Sequence, residues 1–304
     1  MMTHQPLLSV CLLTYNHVAF IQEAIDSILA QDTDFYFNII ISDDGSTDGT
    51  TGIVKKNAIA HPEKIKLITH EKNVGLQQNF MDLFTSPTSK YISFLDGDDV
   101  YFDNKRLQKQ VDFLEGNPGY AMVYGKGLLM DEKGNLKPYR RYPPYKSGHI
   151  FKEVLTCKFL PPMAAAVMRN DVVQEVYKTR TEPGIDFYLV AAICENNAVY
   201  FLNEPFFKYR MNAASITNAQ KPFMAELFVK NMGRFATKYP EWVQEGIATE
   251  KRWQLYHHAE IHPDAKTFIA LLRKFDFTAL HIRQVGKCFF RMSGLMGKHK
   301  GHTA

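Results

Sequence analysis

The sequence predicts an α/β protein, with a mostly parallel central sheet flanked by helices over residues 1–220 and a helical extension over 221–304. Three observations carry this expectation. Short β-branched and aromatic runs alternate with segments of helical periodicity from Leu7 to Tyr124, the pattern of parallel strands joined by right-handed helical crossovers. Acidic residues bunch directly after two of those runs, where open α/β sheets bind ligands. Beyond about Pro222 strand signals stop and helical ones continue.

The elements follow in order. Leu7–Leu13 is an apolar run of strand length, and polar Thr14-Tyr15-Asn16-His17 makes the loop after it. Ile21, Ala24, Ile25 and Ile28 recur at helical spacing and predict a helix over Val18–Ala30. Phe37–Ser42 is a second strand ending in Asp43-Asp44-Gly45-Ser46-Thr47-Asp48, whose Ser, Thr and Asp suit the cap of a helix over Thr50–Ala60. Ile65–Thr69, Gln77–Phe84 and Tyr91–Leu95 read as strand, helix and strand. Asp103 and Asn104 resemble the cap of a helix over Lys105–Glu115, which Gly116-Asn117-Pro118-Gly119 ends. Tyr120–Tyr124 is a strand, Asp131–Asn135 has hairpin-turn chemistry, and basic, aromatic Tyr139–Pro144 predicts a surface loop. Ala164–Met168 predicts a strand, Asp171–Tyr177 and Ile185–Cys194 helices, and Val199–Leu202 and Phe206–Arg210 two further strands.

Composition narrows the class. At 304 residues and 45% hydrophobic the chain buries a large core. A net charge of +4 without a reader motif argues against a nucleic-acid partner. Cys11, Cys157, Cys194 and Cys288 form no CxxC pair, so neither zinc nor a redox couple is expected, and reduced thiols fit a cytoplasmic setting. Met1–Pro6 lacks a basic leader and no apolar run reaches transmembrane length, so any membrane contact is expected to be peripheral. The His257-His258 pair lacks ligand spacing and reads as surface.

The densest chemistry lies in Tyr91-Ile92-Ser93-Phe94-Leu95-Asp96-Gly97-Asp98-Asp99, a buried-strand pattern ending in three acids. Like charges this close cost free energy unless a cation joins them. A hard divalent ion, Mg²⁺ or Mn²⁺, takes oxygen ligands and bridges to phosphate oxygens. A solvated acidic turn is the plainer alternative.

With these pieces in place the chain resembles the family 2 glycosyltransferases of the GT-A nucleotide-diphospho-sugar transferase fold, over roughly its first two-thirds. Leu13-Thr14-Tyr15-Asn16 looks like the opening motif, Asp43–Asp48 is the most recognisable piece, and Asp96-Gly97-Asp98-Asp99 looks like the metal-binding Asp-x-Asp signature. Asn73-Val74-Gly75 through Asn79-Phe80 is similar to a variant in rhamnosyltransferase-like members. The resemblance implies a nucleotide-diphospho-sugar donor met by Thr14, Tyr15, Asn16, Asp44, Asn73, Gly75, Asp96, Gly97 and Arg210. It implies Mn²⁺ or Mg²⁺ on Asp98 and Asp96, with Asp99 in support. Tyr15 and Asp44 would take the base by its face and its imide N–H, and Asp96 the ribose hydroxyls. Wedged loop aromatic and helix cap are the plainer readings of Tyr15 and Asp44, and Asn73 and Gly75 also read as a tight turn.

Two later stretches extend the match. Gly184-Ile185-Asp186-Phe187 resembles the family's Glu-Asp motif, which makes Asp186 the implied catalytic base, although Ile185 replaces the glutamate. Tyr209-Arg210-Met211-Asn212-Ala213-Ala214-Ser215 resembles the loop that closes over the donor, with Asn212 where histidine is usual. Arg210 fits either a diphosphate contact or a surface ion pair. The implied reaction is inverting transfer of a sugar to a hydroxyl of a glycan or lipid-linked acceptor, as in bacterial surface polysaccharide synthesis. Acceptor contacts are expected from Tyr139–Pro162.

Other classes make weaker matches. A sugar-nucleotide nucleotidyltransferase needs a glycine-rich phosphate loop after the first strand, and Thr14–His17 offers none. A receiver-like domain would be about half as long, and a non-catalytic nucleotide- or glycan-binding module would not turn over. Phe275–Lys300 mixes Arg283, Lys287, Arg291, Lys298 and Lys300 with apolar residues. That pattern fits a helix on an anionic inner membrane face or one packed on the catalytic domain with a solvated basic side. Donor sugar, acceptor and oligomeric state are not encoded in these motifs.

Overall fold

The computed structural model describes residues 5–139, 145–178, 186–211 and 221–261, with the backbone alone for 221–227 and 251–261. The chain groups into two units, one of residues up to Val154 with Phe159–Asn231, the other of Leu155–Lys158 with the chain from Met232 onward.

The first unit follows the order β1 (Leu8–Thr14), α1 (Ile21–Leu29), β2 (Phe37–Asp43), α2 (Thr50–Ala60), β3 (Ile65–Thr69), α3 (Leu76–Thr85), β4 (Tyr91–Asp96) and β5 (Val100–Tyr101). It continues with α4 (Arg106–Gly116), β6 (Tyr120–Met130), β7 (Leu136–Pro138), α5 (Phe151–Leu155), a 3-10 turn at Met163–Ala165, β8 (Ala166–Arg169), α6 (Asn170–Lys178), α7 (Asp186–Asn196) and β9 (Ala198–Arg210). Among the described residues the strands form one sheet in the order β3-β2-β1-β4-β8-β6-β9-β5, with β7 beside β6.

The parallel half is the one the alternating pattern predicts. β1 pairs parallel with β2 and β4, and β2 with β3. Every residue of β1 and β2 is buried, because helices cover both faces. In α1 the predicted stripe Ile21, Ala24, Ile25 and Ile28 is wholly buried, each large side chain contributing roughly 1.5–3 kcal/mol.

The other half departs from a uniform parallel sheet. β8 runs antiparallel to both β4 and β6, while β6 and β9 are parallel. Among the described residues the chain between β6 and β8 holds β7, the five-residue α5 and the 3-10 turn, with no full crossover helix to return it to the parallel sense. The expected strand at Ala164–Met168 therefore begins later, at Ala166, after that turn. Val199–Leu202 and Phe206–Arg210 are one strand rather than two. Its register with β6 shifts around Pro205, which has no N–H for the ladder, and β9 passes it as a bulge. The two-residue β5 and α5 had no signal of their own, since tertiary pairing alone makes such short elements.

The caps also differ in detail. Gly49, not a polar residue, is the N-cap of α2. Asp48 acts from one position further out, accepting the Thr50 N–H at 3.0 Å and the Val18 N–H at 3.0 Å, so one carboxylate joins two loops. Asp103 likewise accepts the Lys105 N–H at 2.9 Å.

Beneath the sheet Arg106 is fully buried. Its guanidinium donates to the carbonyls of Ala164 (2.7 Å), Phe206 (3.3 Å) and Ala166 (3.4 Å), and to Ser93 Oγ (3.2 Å). It also lies over the Tyr101 ring, 3.9 Å from its centroid. One side chain thus ties α4 to β4, β8 and β9.

The second unit is helical among its described residues. α8 (Lys221–Ala236) runs into it from the first, and α9 (Pro240–Ile261) follows. Met232, Phe235 and Val243 are buried, Tyr239 stacks on Trp242 with centroids 5.1 Å apart, and Lys158 pairs with Glu245 at 2.6 Å. No helix among the described residues is long and apolar enough to cross a membrane. Phe275–Lys300 and the His257-His258 side chains lie outside the described residues, as do Asn212–Ser215 and Gly184-Ile185.

Candidate active site

The site is built on the carboxyl end of β1. Register sets Thr14 opposite Asp43 of β2 and Leu13 opposite Asp96 of β4, so the two acidic loops flank β1 about 10 Å apart, two strand spacings. Both hang from the same strand end: Asp44 N–H donates to the Thr14 carbonyl at 3.1 Å, and Gly97 N–H to the Leu13 carbonyl at 2.8 Å. Half-buried Tyr15 continues from β1 between them.

On the β2 side the two aspartates divide their contacts. Asp43 turns into its own loop, accepting the hydroxyls of Ser46 and Thr51, each at 2.5 Å. Asp44, 2% exposed, accepts the N–H groups of Val74 at 2.7 Å and Gly75 at 3.2 Å. Asn73-Val74-Gly75 is thereby held beside Asp44, with Asn73 exposed. Burial raises the Asp44 carboxyl from its ordinary value, against the pull of these two N–H groups and of His70. Gly45 has φ +66°, and a Cβ there would lie 2.6 Å from the Lys72 carbonyl carbon, so only glycine fits between the loops. Asn16 also has a left-handed φ of 54°. Its side-chain oxygen accepts the Thr47 N–H, and its own N–H donates to Ser46 Oγ, both at 2.9 Å. Buried Asn79 bonds back to Ser42.

On the β4 side Asp96 and Asp98 are half-buried and Asp99 is buried. Gly97 is required by close approach, since a Cβ would lie 2.7 Å from His17 Nδ1 and 2.8 Å from Thr14 Oγ1. Burial, then the charges of Asp98 and Asp186, raise the Asp96 carboxyl well above its ordinary range. Burial, then Asp98 and Asp96, do the same to Asp99, against the N–H and charge of Arg210. Asp186, exposed at the first residue of α7, thus bears electrostatically on Asp96, and the Phe187 N–H donates to its carboxylate at 2.7 Å.

Arg210 closes the back of the acidic turn. Its N–H donates to Asp99 at 3.0 Å, its Nε to the Asp98 carbonyl at 2.9 Å, and its terminal nitrogen pairs with Glu23 of α1 at 2.5 Å. Among the described residues no three His, Cys, Asp or Glu side chains converge as a ready-made metal cage. The mutually repelling carboxylates of Asp96 and Asp98 nevertheless fit a hard divalent ion, which takes one or two protein carboxylates and fills its shell with water and phosphate oxygens.

Two residues of this constellation were missed in the sequence. His17 has its Nδ1 3.3 Å from Thr14 Oγ1 and donates its N–H to Thr50 Oγ1 at 2.9 Å. Burial lowers its pKa, while Asp98, Asp48 and Asp43 pull the other way. Glu23 reads in the sequence as an ordinary first-turn acid of an amphipathic helix. Adjacency to Thr14-Tyr15-Asn16 was the one signal for His17, and Glu23 had none.

The sheet order, with acidic loops on either side of β1, defines the GT-A nucleotide-diphospho-sugar transferase class of α/β fold. Comparison with known proteins then gives the family. The family model described as Glycosyl transferase family 2 matches residues 9–176, and the chain belongs to that family. It is 34% identical over 213 residues to the putative glycosyltransferase EpsE of Bacillus subtilis (strain 168), covering 69% of this chain and 74% of EpsE. It is 27% identical over 211 residues to an uncharacterised protein of Mycobacterium tuberculosis strain H37Rv, covering 69% of this chain but 60% of that protein. The fold is shared with S. aureus TarS 1–349 in complex with UDP-GlcNAc (TM-score 0.57, 15% identity, 94% of this chain and 81% of that one). It is also shared with the mannosyltransferase PcManGT of Pyrobaculum calidifontis in complex with GDP-Man and Mn²⁺ (TM-score 0.56, 15% identity, 98% and 88%).

Proposed function

We propose that this protein is an inverting glycosyltransferase that moves a sugar from a nucleoside-diphosphate donor to a hydroxyl of a glycan or lipid-linked acceptor. One observation supports the reading most directly. After burial and Asp98, the Asp186 carboxylate also raises the Asp96 pKa, which supports placing a base for the acceptor near the acids for the donor.

In this reading Tyr15, Asp44 and the Asn73-Gly75 turn receive the base, with Thr14 and Asn16 shaping the loop. Asp96 and Gly97 line the ribose. Asp98, with Asp96, would hold Mg²⁺ or Mn²⁺, which when bound neutralises charge on the leaving diphosphate; the Mn²⁺ complex of the structural neighbour supports that choice. Asp186 takes the acceptor's proton as its oxygen bonds to the anomeric carbon, while the bond from that carbon to the diphosphate oxygen breaks and leaves its electron pair on the diphosphate. Attack from the face opposite the departing nucleotide inverts the centre.

Residues 1–220 would form the catalytic domain and 221–304 a helical region. The setting would be cytoplasmic, at the inner membrane face if the basic tail engages lipid, and the pathway one of surface polysaccharide assembly. A panel of UDP-, GDP- and dTDP-sugars with Mn²⁺, read by nucleotide release in the presence of glycan acceptors, tests this. Release coupled to a product of inverted anomeric configuration is expected; a retained configuration, or no turnover across the panel, would overturn it.

A further inference from the structure

Arg210 is the last residue of β9, and its contacts are unlike those of a side chain waiting for a phosphate. Its side chain is 17% exposed, and its guanidinium lies 4.7 Å from the centroid of the Phe20 ring. Nε is committed to the Asp98 carbonyl at 2.9 Å and a terminal nitrogen to Glu23 at 2.5 Å. The Arg210 backbone N–H holds the Asp99 carboxylate at 3.0 Å, and the next residue, Met211, donates its N–H to the Met130 carbonyl at 2.9 Å. The acidic turn is therefore gripped from behind by a chain of contacts running from Glu23 on α1, through Arg210, to the backbone of Asp98 and the side chain of Asp99.

We propose that Glu23 and Arg210 form a positioning latch for the acidic turn: Glu23 orients Arg210, and Arg210 fixes where Asp98 points, without itself touching the donor. The proposal rests on the glycosyltransferase reading for its effect on ligand binding, but not for its effect on the turn. A planar guanidinium held at two edges and stacked on a ring has one orientation, and groups behind a ligating carboxylate commonly change metal affinity by about 10- to 100-fold. Glu23 is half exposed, so the lower end applies here.

The variants Glu23→Gln, Arg210→Lys and the double variant test it in two measurements. In the ligand-free protein, hydrogen exchange of the peptide spanning Leu95–Tyr101 should speed up in both single variants. Titration with UDP and GDP in the presence of Mn²⁺ should show each single variant weakened about tenfold. The double variant should be no weaker than the worse single one, because both act through one contact. Binding of UMP and GMP should fall by the same factor if the turn is displaced as a whole. The latch is overturned if exchange in Glu23→Gln is unchanged. It is also overturned if Arg210→Lys weakens diphosphates alone while Glu23→Gln binds normally, the signature of a direct phosphate contact. Should the wild type bind neither nucleotide, the donor reading falls, and the exchange measurement by itself decides the latch.

Discussion

Asp186, at the start of α7, adds its charge to burial and to Asp98 in raising the pKa of Asp96, at the end of β4. Two acids from distant parts of the chain are thus brought near enough to feel each other's charge, and the sheet order explains how. β4 lies next to β1, while α7 leads into β9 on the far side of β8 and β6. Repulsion of this kind is retained where a cation or a reacting proton relieves it.

Metal removal should therefore be decisive for donor binding. With Asp98 and Asp96 as oxygen ligands, excess EDTA should abolish stabilisation of the protein by UDP or GDP, and Mn²⁺ should restore it. Asp98→Asn should lower the Mn²⁺-dependent gain in thermal midpoint while keeping the fold. Unaltered nucleotide stabilisation in EDTA would refute the metal assignment.

Asp44 makes a pH prediction. Its folded pKa is raised, chiefly by burial, so it binds its proton more tightly folded than unfolded. Its contribution to stability is accordingly complete below the unfolded pKa and is lost as pH rises through the folded one. Base recognition runs the other way, because the ionised carboxylate is the acceptor for an imide N–H. Nucleotide affinity measured calorimetrically should fall on acidification with a midpoint above 3.8, the ordinary value for this group. Asp44→Asn should bind weakly and lose that dependence.

Arg106 makes a stability prediction. Burial lowers its guanidinium to about 10, so it stays charged at neutral pH, fully enclosed and bonded to three carbonyls and Ser93. Arg106→Ala strands those acceptors and opens a cavity under β4, β8 and β9. Denaturant unfolding should show a loss of about 2 kcal/mol or more, since each buried acceptor left unsatisfied costs about 1–3 kcal/mol. Arg106→Lys should recover only part, since an ammonium lacks the planar fork.

Local patterns carried much of this into the sequence. The parallel strands β1 to β4 were legible because each is a short apolar run, and α2 and β3 have the predicted bounds because periodicity and flanking turns agree there. The place of the acidic loops at the strand ends was legible because their carboxylates directly follow buried apolar runs. The reversed β8, the bulge at Pro205 and the two-residue β5 were not, because each is fixed by a partner strand far away in sequence. Arg106 and Glu23 look like surface charges on helices; only tertiary structure turns the first into a core anchor and the second into a partner of Arg210.

The central claim is that Asp186 is the base, and one variant tests it. In Asp186→Asn the side chain keeps its size and its ability to accept the Phe187 N–H, but it no longer takes a proton. Turnover should fall by roughly 10²-fold or more, while the thermal midpoint and the affinity for the Mn²⁺-nucleotide remain near those of the wild type. A variant that binds nucleotide and still turns over at the wild-type rate would contradict the account.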